Sequence, residues 1–146
     1  IEDYIKYIEE FLEKKNIKYF TVSNVEKDPY EVFSHKYAAV NAGLGWIGKN
    51  ALFVSNDFGP RVRLATVLVD LDLPINRQPK YEGCKDCDIC VRACPTKCLK
   101  GIKWKRGMMR EDIVDIENCK DYFETRSNHI CALCLLVCPI GKERET

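Results

Sequence analysis

The sequence predicts an α+β chain in two parts: a small α/β layer of helices plus a β-hairpin, then a part shaped by cysteine loops. Three observations carry this. Residues 1–70 alternate between apolar repeats of three to four residues and apolar alternation of two, the periods of helix and strand. The run from Leu71 to Tyr81 carries Pro74 and Pro79 and keeps neither period, as an extended linker does. All 9 cysteines fall beyond it, in close-set groups. The expected division is an α/β part over 1–73, a linker over 74–82 and a cysteine-rich domain over 83–146.

Ile1, Tyr4, Ile5, Ile8, Phe11 and Leu12 stand three and four apart. They predict an amphipathic helix over residues 1–15, with this stripe against a core. Asn16 is the expected stop, and Ile17 to Val22 the first strand. Ser23 to Pro29 has turn composition. A second helix is expected from about Glu31 to Asn41, with Val32, Phe33, Tyr37 and Val40 on its apolar side. His35 on that helix reads as a surface or capping histidine, ahead of a ligand role.

The stretch GLGWIGKN follows, with Gly43, Gly45 and Gly48 spaced as G-x-G-x-x-G and Asp70 downstream. A dinucleotide fingerprint needs a strand before it and a helix after it, so that pyrophosphate meets a helix N-terminus. Here a helix precedes, and a strand over Ala51, Leu52, Phe53 and Val54 follows, with Val22 as a possible neighbour. The glycines therefore read as a tight helix-to-strand turn that lets backbone approach a neighbouring element or a bound group. Asn56 to Pro60 is turn chemistry. Val62, Leu64, Ala65, Val67, Leu68 and Val69 then make a strand of residues 61–70, expected to pair with 51–55 as an antiparallel hairpin. Arg61 and Arg63 would share one face of it, against solvent, a salt-bridge partner or an anion.

Lys and Arg number 23 and Asp and Glu 22, a net charge of +1, so charge selects no partner. No apolar run approaches the ~18 residues that span a bilayer, and the N-terminus lacks a signal-peptide pattern. Reduced thiols, a cytoplasmic setting and no membrane partner are expected. The chain starts at Ile1 rather than methionine, as a fragment or a processed chain does.

Cys84 to Pro95 reads CKDCDICVRACP, a C-x2-C-x2-C-x3-C-P spacing. In chains with this run the first three cysteines bind one iron–sulfur cluster and the fourth binds another. Cys84, Cys87 and Cys90 thus supply three ligands, and Cys138, also followed by proline, the natural fourth. Cys94 crosses to a second cluster with Cys131 and Cys134, and Cys119 is available to complete it. Cys98 is left over as a small buried thiol. The expectation is a ferredoxin-like domain with two 4Fe-4S clusters that passes single electrons. Zinc is the chemical alternative, but its ribbons do not call for the third close cysteine or a repeated C-P ending. A thioredoxin-like C-x-x-C lacks its βαβ setting.

Lys97, Lys100, Lys103, Lys105, Arg106 and Arg110 surround Trp104 between the two cysteine groups. A solvated face, a nucleic-acid contact and an acidic donor protein are all open to such a segment.

AGLGWIGKN, then DFGPRVRLATVLVD, then CKDCDICVRACPT, an isolated cysteine and CALCLLVCP stand in an order that resembles the epoxyqueuosine reductase family, and in part the related reductive dehalogenases. The resemblance runs from about Phe33 to Gly141. It implies a cobalamin-dependent reductase: an iron–sulfur oxidoreductase with a nitroreductase-like α/β layer and two 4Fe-4S clusters relaying electrons from reduced ferredoxin or flavodoxin. By similarity, Cys84, Cys87, Cys90 and Cys138 bind one cluster and Cys94, Cys119, Cys131 and Cys134 the other. Gly43, Gly45, Gly48 and Lys49 would border a cobalamin pocket, and a modified tRNA nucleoside or a small molecule would be the substrate. Epoxyqueuosine reductases carry a proton-donating aspartate in a D-S/T-A/G-P segment; here the region reads EKDPYEVFSHK, with Asp28 nearby but without that motif.

Overall fold

The computed structural model describes residues 1–22, 33–74, 83–126 and 131–142. Helix α1 spans Glu2–Lys14. Glu2 and Asp3 at its start and Lys14 at its end complement the helix dipole. Asn16 adopts φ 56°, and the Asn16 and Ile17 amides turn back to the carbonyls of Glu13 and Leu12. This is a Schellman stop, built on a residue that tolerates the left-handed region.

The apolar stripe of α1 does not face a core as expected. Leu12 is buried and Ile5 half-buried, but Tyr4 and Phe11 are 76% and 52% exposed, and Ile1 and Ile8 are exposed as well. The face turned inward carries Ile5, Glu9 and Leu12 instead. Thr21 Oγ1 donates to Glu9, and the Tyr19 hydroxyl donates to Glu13 at 2.8 Å. A ribbon of two strands covers only a narrow strip of helix, and these polar contacts choose which strip.

That ribbon joins β1 (Tyr19–Val22) to β4 (Thr66–Val69), antiparallel, with Phe20 opposite Leu68. Helix α2 spans His35–Asn41 and begins later than expected, because the Ser34 hydroxyl caps it by accepting from the Tyr37 amide at 3.3 Å. It ends in a second Schellman turn at Gly43, φ 70°. His35 neither caps nor lies on the surface: it is half-buried, with Nδ1 2.9 Å from Thr66 Oγ1, and ties α2 to β4.

The second antiparallel pair corrects the expected hairpin. Strand β3 (Phe53–Ser55) pairs with β2 (Gly45–Ile47), not with residues 61–70 and not with Val22. The stretch read as a turn is thus half strand. Gly45 permits it, since a Cβ there would lie 2.0 Å from the Val54 carbonyl oxygen. After β3 the Ser55–Gly59 bridge closes a tight loop, and residues 61–65 run outside any strand. Arg61 and Arg63 therefore share no strand face; Arg61 is half-buried and Arg63 exposed.

The cysteine-rich part contributes α3 (Ile89–Ala93), α4 (Ile116–Arg126) and α5 (Leu133–Leu136), with α3 beside α5. An isolated bridge pairs Leu99 with Val114. The fold is α+β with small antiparallel sheets. Residues 75–82 of the expected linker, and Asp28, lie outside the described residues. The largest buried cluster joins Ala51 of the first part to Cys94, Cys98, Leu99, Ile113 and Val114, with Ile47 packed alongside. One core thus crosses the expected boundary. Among the described residues, no helix is long and apolar enough to cross a membrane.

Ile113 is 1% exposed at the centre of this core. Ile113→Ala is expected to cost about 2–5 kcal/mol, read as a lower denaturation midpoint at unchanged m-value.

Candidate metal centre

Closely spaced cysteines can converge because short loops lose little entropy on closing. Cys84 and Cys87 lie in the loop before α3, Cys90 in α3, Cys119 in α4, Cys134 in α5, and Cys94, Cys131 and Cys138 at helix ends or loops. The thiols fall into two neighbourhoods. Burial pushes Cys90 up to about 11, helped by the charges of Cys84, Cys134, Cys138 and Cys87. Cys138 is raised by burial and by Cys84 and Cys87, while its bond with Ile140 backbone and the Arg61 charge pull it down. Cys134 is raised by burial and then by Cys131, Cys119 and Cys94. Cys90 thus has Cys84, Cys134, Cys138 and Cys87 as neighbours, Cys138 has Cys84 and Cys87, and Cys134 has Cys131, Cys119 and Cys94. Cys134 and Cys90 lie where the two sets meet. Among the described residues, no group of three or more His, Cys, Asp or Glu side chains is placed to hold a metal ion.

Cys98 belongs to the second neighbourhood. It is 3% exposed, and its Sγ lies 3.3 Å from Cys94 Sγ. Burial pushes Cys98 up to about 12; Thr96 pulls it down, and Cys94 and Cys119 push it up. Burial also raises Cys94, but hydrogen bonds from Thr96 and Cys98 outweigh it and bring that thiol to about 7. Either sulfur can donate in this contact.

The residues that hold these loops come from the first part. Lys49, 7% exposed, sends its ammonium to the Cys87 carbonyl at 2.8 Å. Asn50 Nδ2 donates to the Cys134 carbonyl at 3.2 Å, while its Oδ1 accepts from the Leu52 amide at 3.2 Å. Arg61 Nη1 donates to the Cys138 carbonyl at 3.1 Å, and Nη2 donates to Ile140. Trp46 Nε1 points at Cys84 Sγ, 3.5 Å away. Two glycines complete the seam. A Cβ on Gly59 would meet the Ile140 carbonyl oxygen at 2.0 Å, and one on Gly141 would meet the Phe58 carbonyl carbon at 2.3 Å. Both have positive φ, 64° and 78°.

Sequence reasoning missed this role for Trp46, Asn50 and Arg61, and placed Lys49 beside a cofactor pocket. The usable signal was a lysine and an amide directly after a glycine turn, a place where polar side chains reach other loops. Gly43, Gly45 and Gly48 are buried in the helix stop and the β2–β3 turn, where a Cβ on Gly48 would lie 2.6 Å from Asn50 Oδ1.

A separate cleft of about 870 Å³ opens between α2, the chain before β4 and residues 104–113. His35, Lys36, Arg63 and Arg110 line it with Trp104 and Ile113. Lys36 Nζ donates to the Ala51 carbonyl at 3.0 Å, and His35 Nε2 is buried without a hydrogen-bond partner among the described residues. The basic segment between the cysteine groups is partly tied down. Arg106 Nε donates to the Tyr37 hydroxyl at 2.8 Å and Nη2 to Asn41 at 3.2 Å, and Lys103 lies 3.9 Å from Asp86.

No family model matches the chain. A tetrachloroethene reductive dehalogenase of Desulfitobacterium hafniense is 33% identical over 119 residues, 71% of this chain and 21% of the relative. An epoxyqueuosine reductase of Lactococcus garvieae is 35% identical over 109 residues, 71% of this chain and 31% of the relative. The structure of epoxyqueuosine reductase from Streptococcus thermophilus superposes on 96% of this chain and 38% of its own, with TM-score 0.68 and 27% identity. A crystal structure of epoxyqueuosine reductase with an epoxyqueuosine-modified tRNA stem loop shares the fold, with TM-score 0.67 at 21% identity. The chain spans only a fifth to a third of the length of these two curated relatives. It is an epoxyqueuosine reductase-like chain, homologous to those reductases and to the reductive dehalogenases along a part of their length.

Proposed function

We propose that this chain is the electron-relaying part of a reductase and holds two 4Fe-4S clusters. What supports this is the C-x2-C-x2-C-x3-C-P spacing with its shorter echo, together with Cys84, Cys87 and Cys138 near Cys90 and Cys94, Cys119 and Cys131 near Cys134. Cys84, Cys87, Cys90 and Cys138 would hold the first cluster, and Cys94, Cys119, Cys131 and Cys134 the second. Such clusters supply one-electron transfer. The chain's own residues do the rest. Lys49, Asn50 and Arg61 fix the ligand-bearing loops through their carbonyls, and outer contacts of this kind orient metal ligands. Leu99, Ile113 and Val114 keep water from the Cys94 side. Reduced ferredoxin or flavodoxin is the kind of donor such a relay takes.

A second reading adds a cofactor and substrate, and the cleft favours it. Ile47, Ala51, Ile113 and Trp104 line the cleft on one side and pack on the core of Cys94 and Cys98 on the other. A group bound there would lie one layer of side chains from the second thiol set. By relation to epoxyqueuosine reductases, cobalamin is the candidate cofactor; Ile47 and Ala51 of the glycine turn line this cleft, whereas Gly43, Gly45, Gly48 and Lys49 do not. A modified tRNA nucleoside or a small molecule is the candidate substrate, and the cations at the cleft mouth suit a phosphate-bearing one.

Anaerobically prepared protein is expected to contain about eight irons and about eight sulfides; about four irons, or zinc in their place, would refute the two-cluster reading. Cys94→Ala is expected to remove the EPR signal of the second cluster and spare the first. Cys98→Ser should keep both clusters at wild-type iron content, because eight other thiols supply every ligand. Added cobalamin should co-purify with the chain and change its corrin spectrum if the second reading holds.

A further inference from the structure

We propose that the cluster on Cys84, Cys87, Cys90 and Cys138 is the electron sink of the pair, its potential held above that of its neighbour by Trp46, Lys49 and Arg61. The inference rests on the two-cluster reading above and adds an order to it.

Three properties of the protein set a cluster's potential: nearby charge, hydrogen bonds to its sulfurs, and exposure. All three differ between the two thiol sets. Reduction makes a cluster more negative, so any group that favours negative charge raises its potential. Trp46 does this directly. Its indole Nε1–H can only donate, and it aims at Cys84 Sγ from 3.5 Å. The ring is 8% exposed and fixed in place. Gly83, φ 89°, lies flat against it, with its Cβ position 3.5 Å from Trp46 Cδ1. That distance is an ordinary contact, so it is the positive φ, and not the ring, that favours glycine before Cys84.

Lys49 and Arg61 act through charge. Lys49 is a buried ammonium on the Cys87 carbonyl, and Arg61 a guanidinium on the Cys138 and Ile140 carbonyls. Charges act strongly where water does not screen them. Cys87 is also exposed, so water can solvate added charge there.

The second set has a different setting. Cys94 is buried among Leu99, Ile113 and Val114. The side chain bonded to its Cys134 carbonyl is the neutral amide of Asn50. Cys98 and Thr96 approach Cys94 Sγ at 3.3 and 3.6 Å and work in the opposite direction to the proposal. The Thr96 hydroxyl at 3.6 Å is comparable to the indole N–H at 3.5 Å and a thiol is a weak donor, so the difference rests on the two cations, Lys49 and Arg61, on the carbonyls of the first set. Each cubane takes one electron with no bond made or broken. An electron delivered by a low-potential one-electron donor therefore rests on the first cluster at equilibrium.

The test is an EPR-monitored redox titration of the full chain, prepared anaerobically, after iron analysis. Two midpoints are expected. Trp46→Phe keeps the ring and deletes the N–H; it should move the higher midpoint to more negative potential and leave the lower in place. Cys84→Ser should alter that same higher signal, which assigns it to the first cluster. Cys98→Ala should move only the lower midpoint. Lys49→Met is the second route should Trp46→Phe not fold, with the same direction expected. The proposal is overturned if Trp46→Phe or Lys49→Met moves the lower midpoint or neither, if Cys98→Ala moves the higher, or if Cys84→Ser marks the lower. A wild type with about four irons or none removes the two-cluster reading and the ordering with it. About eight irons with unmoved midpoints removes the ordering alone.

Discussion

The backbone carbonyls of Cys87, Cys134, Cys138 and Ile140 take side-chain donors from outside the cysteine loops. A chain that turns its thiols inward leaves no regular ladder for its own polar groups, and each buried group left unpaired costs about 1–3 kcal/mol. The turn after β2 meets that need. Lys49 takes the Cys87 carbonyl, Asn50 the Cys134 carbonyl, and Arg61 the carbonyls of Cys138 and Ile140. The dependence runs both ways, because a buried ammonium such as Lys49 is costly without a good acceptor. The two parts of the chain therefore fold as mutual hydrogen-bond partners. Gly59 and Gly141 let the backbones touch where Arg61 bonds.

This arrangement also decides how the site can work. Lys49 and Asn50 sit in the turn between two paired strands and Arg61 just past the Ser55–Gly59 bridge, so the cysteine loops are positioned by the first part of the chain. The core of Ala51, Leu99, Ile113 and Val114 lies against Cys94 and Cys98, while Cys87 meets solvent. One thiol set thus has an apolar setting and the other a polar, cationic one. The cleft beyond Ile113 and Trp104 lies on the apolar side, where a bound group would be close to the second set.

Much of this was legible in the sequence, and the reasons are local. The C-x2-C-x2-C-x3-C-P spacing fixes which thiols start near each other, since few residues separate them. Helix α1 and its stop at Asn16 follow from period and from one residue's tolerance of positive φ. The glycine stretch does follow a helix and lead into a strand, because Gly43 ends a helix and Gly45 lies in a strand. Strand partners were not legible. Residues 53–55 and 66–69 each read correctly as strands, yet they pair with 45–47 and 19–22 and not with each other. Alternation gives a strand's faces, not its neighbour.

The sequence by itself determined the cysteine spacing, the helix periods and the glycine positions, all of which act over a few bonds. Only the tertiary structure decided which face of α1 turns inward, which strands pair, and that GKN and Arg61 grip the cysteine loops. Those contacts join residues 38 to 84 positions apart, from Lys49–Cys87 to Asn50–Cys134. No periodicity spans such a separation. What settles it is whether a buried carbonyl finds a donor, and that is a property of the assembled chain.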